Sequence, residues 1–195
     1  MRLTSPPRIS VSSREDKEAK LKEFIAEAIS LRHDENPAAI STIVSLVARA
    51  TDSPAARALF AMAGELAAAG ITVRVVLFET EALSDETIQP SLYDIAAIEV
   101  RQLHDQRFAA AHEQLSLGAG RVWIGDCMRR DPAKRDAFES YHTGQAAIAA
   151  YADASFARLW QKAAVSNRVR YAAVAAEVLL AGQQTPDAPP LATRR

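Results

Sequence analysis

Residues 111–130 read AHEQLSLGAGRVWIGDCMRR, and the rest of the chain takes its meaning from them. His112, Gln114 and Ser116, then Val122, Ile124 and Asp126, recur at every second position, the period at which strand side chains share a face. Leu115 and Leu117 fall on the other face of the first run. Between the two runs, Gly118-Ala119-Gly120 supplies backbone free enough for a tight reversal, and Trp123 and Ile124 favour strand beyond it. The spacing predicts a β-hairpin with polar residues gathered at its end.

Working outward, residues 71–78 (ITVRVVLF) are apolar almost throughout, the pattern of a strand covered on both faces. Before them, Asp52 or Ser53 caps a helix with Pro54 in its first turn, Ala58, Leu59, Met62 and Leu66 as its buried stripe, and Gly70 at its end. Residues 39–50 (AISTIVSLVARA) fit either element: Ile43, Val44 and Val47 favour a strand, the alanines and Leu46 a helix. They are read here as a strand. Residues 98–103 form a short strand leading to His104 and Asp105. After the hairpin, residues 138–143 suit an edge strand, and residues 145–164 a helix with Ile148, Tyr151, Phe156, Leu159 and Trp160 inward.

The domain so outlined covers residues 37–165. Residues 1–12 read as a mobile arm and residues 13–36 as a charged helix. That helix starts at Ser13 with Asp16 three positions on, a capping-box arrangement, and carries Leu21, Phe24, Ile25, Ala28 and Ile29 as one apolar stripe. Such a stripe docks, on the domain or on a second subunit. Residues 166–182 read as a further helix and residues 183–195, with three prolines, as a disordered tail.

Composition narrows the function classes. With 195 residues, 49% hydrophobic and 24% charged, the chain suits one globular domain. A formal net charge of −1 gives no global attraction to nucleic acid or to an anionic membrane. Arg121, Arg129, Arg130, Lys134 and Arg135 nevertheless crowd around the hairpin, with Asp131 and Asp136 among them. The lone Cys127 rules out an intramolecular disulfide and a cysteine-built zinc site. No secretory leader and no apolar run long enough for a membrane span are visible, so a cytoplasmic location is expected. His104, Asp105, His112 and Glu113 would bind a metal only by converging, and none is expected; nor is any cofactor, since no phosphate loop or dinucleotide fingerprint occurs.

The hairpin resembles the phospholipase D superfamily, whose signature is H-x-K-x4-D followed by a hairpin and G-S-x-N. Without a gap, His112 falls on the histidine, Gln114 on the lysine and Ala119 on the aspartate. Asp126 and Arg129 then fall on the glycine and asparagine of the closing motif; shifted by one residue, Gly125-Asp126-Cys127-Met128 overlays it. Residues 58–78 resemble the family's alanine-rich helix, glycine and strand, and residues 156–160 (FARLW) its F-x-x-L-W helix end.

The resemblance implies an α/β fold, a mixed and largely parallel sheet with helices on both faces and added N- and C-terminal helices. It also implies a histidine that attacks a phosphodiester phosphorus without metal, a lysine whose charge steadies the phosphoryl oxygens, and a second histidine that protonates the leaving group. In this chain Gln114 brings no charge, which costs on the order of 10²–10³ in rate, and Ala119 can orient nothing. Arg121 and Arg129 are the candidates to replace that charge. With a single copy of the motif, a two-histidine site would need a homodimer with both His112 residues at its axis.

The expectation is therefore a catalytically degenerate, homodimeric binding or regulatory module, with a remnant cleft for an anionic or phosphate-containing ligand formed by His112, Gln114, Ser116, Asp126, Arg121 and Arg129. Its rivals are an active phosphodiesterase with His112 as nucleophile, and an interaction module docking through Leu21, Phe24 and Ile25.

Overall fold

The computed structural model describes residues 13–34, 41–78, 98–118, 120–130 and 138–165. The expected arm, the helix over 166–182 and the tail lie outside these residues, as do Ala119, Asp131, Lys134, Arg135 and Asp136.

Helix α1 (Arg14–Asp34) begins as its sequence demands. The Asp16 amide donates to Ser13 Oγ at 3.1 Å and the Ser13 amide to Asp16 Oδ2 at 3.3 Å, satisfying two amides that a helix start leaves without partners. The run left open between helix and strand holds strand β1 (Ile43–Ala48). Ser53 caps α2 (Pro54–Ala61), accepting from the Ala56 amide at 3.3 Å. The helix expected to continue to Gly70 is interrupted at Met62, and α3 (Ala63–Ala68) completes it.

Strands β2 (Thr72–Leu77) and β3 (Ile98–Gln102) follow, then a 3-10 turn at Gln106–Ala110. The hairpin is β4 (His112–Gly118) and β5 (Arg121–Cys127). Edge strand β6 (Ser140–His142), helix α4 (Ala146–Lys162) and the two-residue β7 (Ala164–Val165) complete the described chain.

The strands form one sheet in the order β6-β5-β4-β1-β2-β3-β7. The sheet is mixed, as expected, but not largely parallel. Only β1–β2 and β2–β3 run parallel among the described pairings; β1–β4, β4–β5, β5–β6 and β3–β7 are antiparallel. The reason is local: a tight hairpin can join only antiparallel neighbours, and it adds itself to the edge of the parallel core.

Helices cover both faces. On one side α1, α2 and α3 pack on Val44, Leu46, Val73, Val75, Leu115, Leu117 and Trp123. On the other, Phe156 and Leu159 of α4 lie with Val47 and Val76, and Ala149 and Ala152 with Val122. The stripe of α1 is engaged in this core, with Leu21 and Ile25 at 0% exposure and Phe24 at 7%, so within this chain it docks on the domain. Tyr151, expected inward, is 74% exposed. The buried positions of α4 are Ala149, Ala152, Phe156 and Leu159, and Tyr151 stands one residue, about 100°, off that stripe.

The reversal between β4 and β5 needs its glycines for two reasons. Gly118 has φ +81°, and a Cβ there would lie 2.6 Å from the Ser41 amide nitrogen, where the chain enters β1. Among the described residues no helix is long and apolar enough to cross a membrane.

Candidate functional site

His112 and Cys127 face each other at the open end of the hairpin, next to the carboxyl end of β1. Open α/β sheets commonly bind ligands outside the carboxyl ends of their parallel strands. A depression of about 490 Å³ lies here, lined by His112, Asp126, Cys127, Arg129, Arg130 and Phe138. Behind it, a pocket of about 20 Å³, room for one water molecule, shares Asp126 and Cys127 and adds Arg14, Arg49, Ser53 and Glu113.

The His112 ring is held from the facing strand: its Nδ1 lies 2.8 Å from the Gly125 carbonyl oxygen. A carbonyl can only accept, so the neutral ring carries its proton on Nδ1 and leaves the Nε2 lone pair available. Phe138 stands against the same ring, edge to face, with centroids 6.3 Å apart. Asp126 is 5% exposed and fully engaged. Its Oδ1 accepts from Arg130 Nη1 at 2.5 Å and its Oδ2 from the Phe138 amide at 3.1 Å. The Phe138 carbonyl in turn accepts from Lys17 Nζ of α1 at 3.3 Å.

The residues named from sequence do not all converge. His112, Asp126 and Arg129 line the depression. Gln114 and Ser116 sit farther along β4, beneath α4, where the Gln114 amide donates to the Ala152 carbonyl at 2.8 Å and Ser116 Oγ to Asp153 Oδ1 at 2.7 Å. Arg121 lies at the opposite end of the hairpin on the α1 face, paired with Glu27 at 2.9 Å and placed over the Phe24 ring. Its guanidinium, hydrogen-bonded to Glu27 and acting through its charge, holds the Glu27 carboxyl below its usual pKa.

Other polar residues have local duties. Asp105 accepts from Arg107 at 2.7 Å, which lowers the carboxyl pKa, and caps the 3-10 turn. His142 Nε2 lies 3.0 Å from Ser140 Oγ, and Cys127 Sγ 3.3 Å from the Ala110 carbonyl. Among the described residues no group of three His, Cys, Asp or Glu side chains could hold a metal ion.

Two contributors, Arg49 and Phe138, escaped the sequence reading, and Glu113, considered there beside His112 for a metal, takes a different part. Arg49 donates from Nη1 to the carbonyls of Met128, at 2.5 Å, and Arg130, at 3.2 Å, anchoring the turn that presents Arg129. Glu113, 5% exposed, accepts from the Arg49 amide at 2.9 Å. Phe138 supplies an aromatic wall. An arginine directly after an apolar strand was the available signal for Arg49; nothing local marks Phe138.

No family model and no curated protein matches this chain. Among solved structures it is similar to that of TrmBL2, an archaeal chromatin protein whose structure shows a novel mode of DNA binding. The identity is 14% and the TM-score 0.45, over 78% of this chain and 51% of that one. The chain thus spans about half the length of that structure, and a likeness at this level assigns it neither a family nor an activity.

Proposed function

We propose that this protein is a catalytically degenerate, phospholipase D-like binding module that works as a homodimer and takes an anionic ligand in the His112 depression. One observation carries the reading: among the described residues, two guanidiniums, Arg129 and Arg130, line the depression with one carboxylate, Asp126. The described lining is thus net positive where an anion would sit. Gln114, at the position where the resemblance expects a fixed cation, is instead held under α4 by the Ala152 carbonyl. Binding an anion needs complementary charge; hydrolysing a phosphodiester also needs charge aimed at the phosphoryl oxygens as they gain it. The first requirement has candidates here, and the second has lost its usual one. Homodimerisation follows from the same resemblance, a single motif per chain needing a two-fold partner.

The rival enzyme reading draws on His112, whose Nδ1–H bond to Gly125 leaves Nε2 as a nucleophile. The deciding experiment measures hydrolysis of bis(p-nitrophenyl) phosphate and of single- and double-stranded DNA by wild type and His112→Ala. Light scattering and calorimetric titration with inorganic phosphate accompany it. The binding reading expects no turnover above buffer in either protein, a dimer in both, and phosphate binding that weakens in Arg129→Ala. Turnover abolished by His112→Ala with the dimer intact would replace it with the enzyme reading. A monomer at all concentrations would remove the homodimer.

A further inference from the structure

We infer that the ligand of the His112 depression carries a flat apolar group beside its anionic one, and that Phe138 selects for it. This rests on the anion-binding reading above and adds to it the class of ligand: an aryl phosphate or a similarly built aromatic anion.

The inference starts from how Phe138 is held. Its amide donates to Asp126 at 3.1 Å, and its carbonyl accepts from Lys17 at 3.3 Å. Asp126 and Lys17 are 5% and 1% exposed. Two buried charged groups, one from the end of β5 and one from α1, thus hold the backbone of Phe138 at the peptide units on either side of its Cα. Charge-assisted hydrogen bonds of this kind are about twice as strong as neutral ones. This anchorage fixes the backbone from which the ring projects, and the edge-to-face contact with His112 places the ring against the imidazole.

The ring is only part-buried, and it lines the depression together with His112, Arg129 and Arg130. The imidazole meets it edge to face at 64°, so the two rings form a corner and not a closed stack. An aromatic corner beside guanidiniums complements a molecule with two ends, one planar and apolar, one negative. A bare inorganic anion would use the guanidiniums and leave the phenyl surface in water. Because the backbone that carries the ring is held before binding, a ligand ring packing on it adds little backbone-ordering cost.

Variants can separate side chain from anchor, since both hydrogen bonds come from the Phe138 backbone. Phe138→Ala removes the ring and keeps the amide and carbonyl; Phe138→Leu keeps apolar bulk without a π-face. Calorimetric titrations with inorganic phosphate, methyl phosphate and phenyl phosphate would be run on the full chain. In the wild type, phenyl phosphate should bind about fivefold more tightly than methyl phosphate, the size of one aromatic contact. That preference should vanish in Phe138→Ala and persist in part in Phe138→Leu, with inorganic phosphate affinity unchanged throughout. Equal affinity of the wild type for methyl and phenyl phosphate would overturn the inference and leave the anionic cleft standing. A phenyl preference that survives in Phe138→Ala would overturn the assignment to Phe138. If none of the three anions binds, the anionic cleft itself fails, and this inference with it.

Discussion

The Gly125 carbonyl oxygen lies 2.8 Å from Nδ1 of His112, across the hairpin, and so decides which imidazole nitrogen keeps its proton. The neutral ring should therefore be the Nδ1–H tautomer, with Nε2 unprotonated. Nitrogen-15 NMR of the histidine ring at alkaline pH reads this directly. A ring found as the Nε2–H form would remove the hydrogen bond and, with it, the nucleophile argued for the rival enzyme reading.

Gly125 serves His112 through its backbone and Trp123 through its missing side chain. A Cβ at this position would meet the indole of Trp123, 2.7 Å from Cζ2, and that ring is 1% exposed. Gly125→Ala should destabilise the fold by about 1–3 kcal/mol through overpacking, seen as a lower midpoint in urea with far-ultraviolet circular dichroism as the probe. An unchanged midpoint would mean the indole has room to yield.

Asp126 is expected to control the mobility of the site wall. In Asp126→Asn the charge-assisted bond to the Phe138 amide becomes a neutral one, and Arg130 loses its ion pair. Hydrogen exchange at the Phe138 amide should quicken several-fold while amides in the middle of β1 keep their protection. Equal acceleration everywhere would indicate global destabilisation instead of a local anchor.

Helix α1 belongs to the core, so truncating its stripe should be felt as stability. Leu21 is fully buried, and Leu21→Ala should cost about 2–5 kcal/mol in denaturant unfolding. A loss well under 1 kcal/mol would return α1 to the role of a detachable docking helix.

The pair Arg121–Glu27 ties α1 to the hairpin turn and makes part of its contribution depend on pH. Glu27 has a lowered pKa in the fold, chiefly from its hydrogen bond with Arg121. A depressed carboxyl adds stability above its unfolded pKa, near 4.5, and loses it as pH falls through the lower folded value. Glu27→Gln should thus be less stable than wild type at pH 7, by no more than about 1 kcal/mol because Glu27 is exposed. The difference should close as the solution is acidified below pH 4.5. A gap independent of pH would assign the effect to packing.

Local patterns carried much of the fold. The Ser13–Asp16 capping box, the Ser53 cap with Pro54, strand β2 and the hairpin around Gly118 all depend on residues a few positions apart, and all stand where periodicity and turn chemistry place them. Residues 39–50 were ambiguous because a short apolar run satisfies helix and strand alike. Only pairing of β1 between β2 and β4 resolves it.

By itself, then, the sequence determined an α/β chain with a polar-ended hairpin and His112 at its mouth, since side-chain period and capping act over one or two turns of chain. The tertiary structure alone decided the company His112 keeps. Arg49 reaches the carbonyls of Met128 and Arg130 from another strand, and Lys17 grips Phe138 from another helix. Gln114 turns under α4, and Arg121 turns away to Glu27. These partners are far apart in sequence, and only the order and direction of strands in the sheet bring them together. No local pattern encodes that order, because it is set by which apolar faces bury each other.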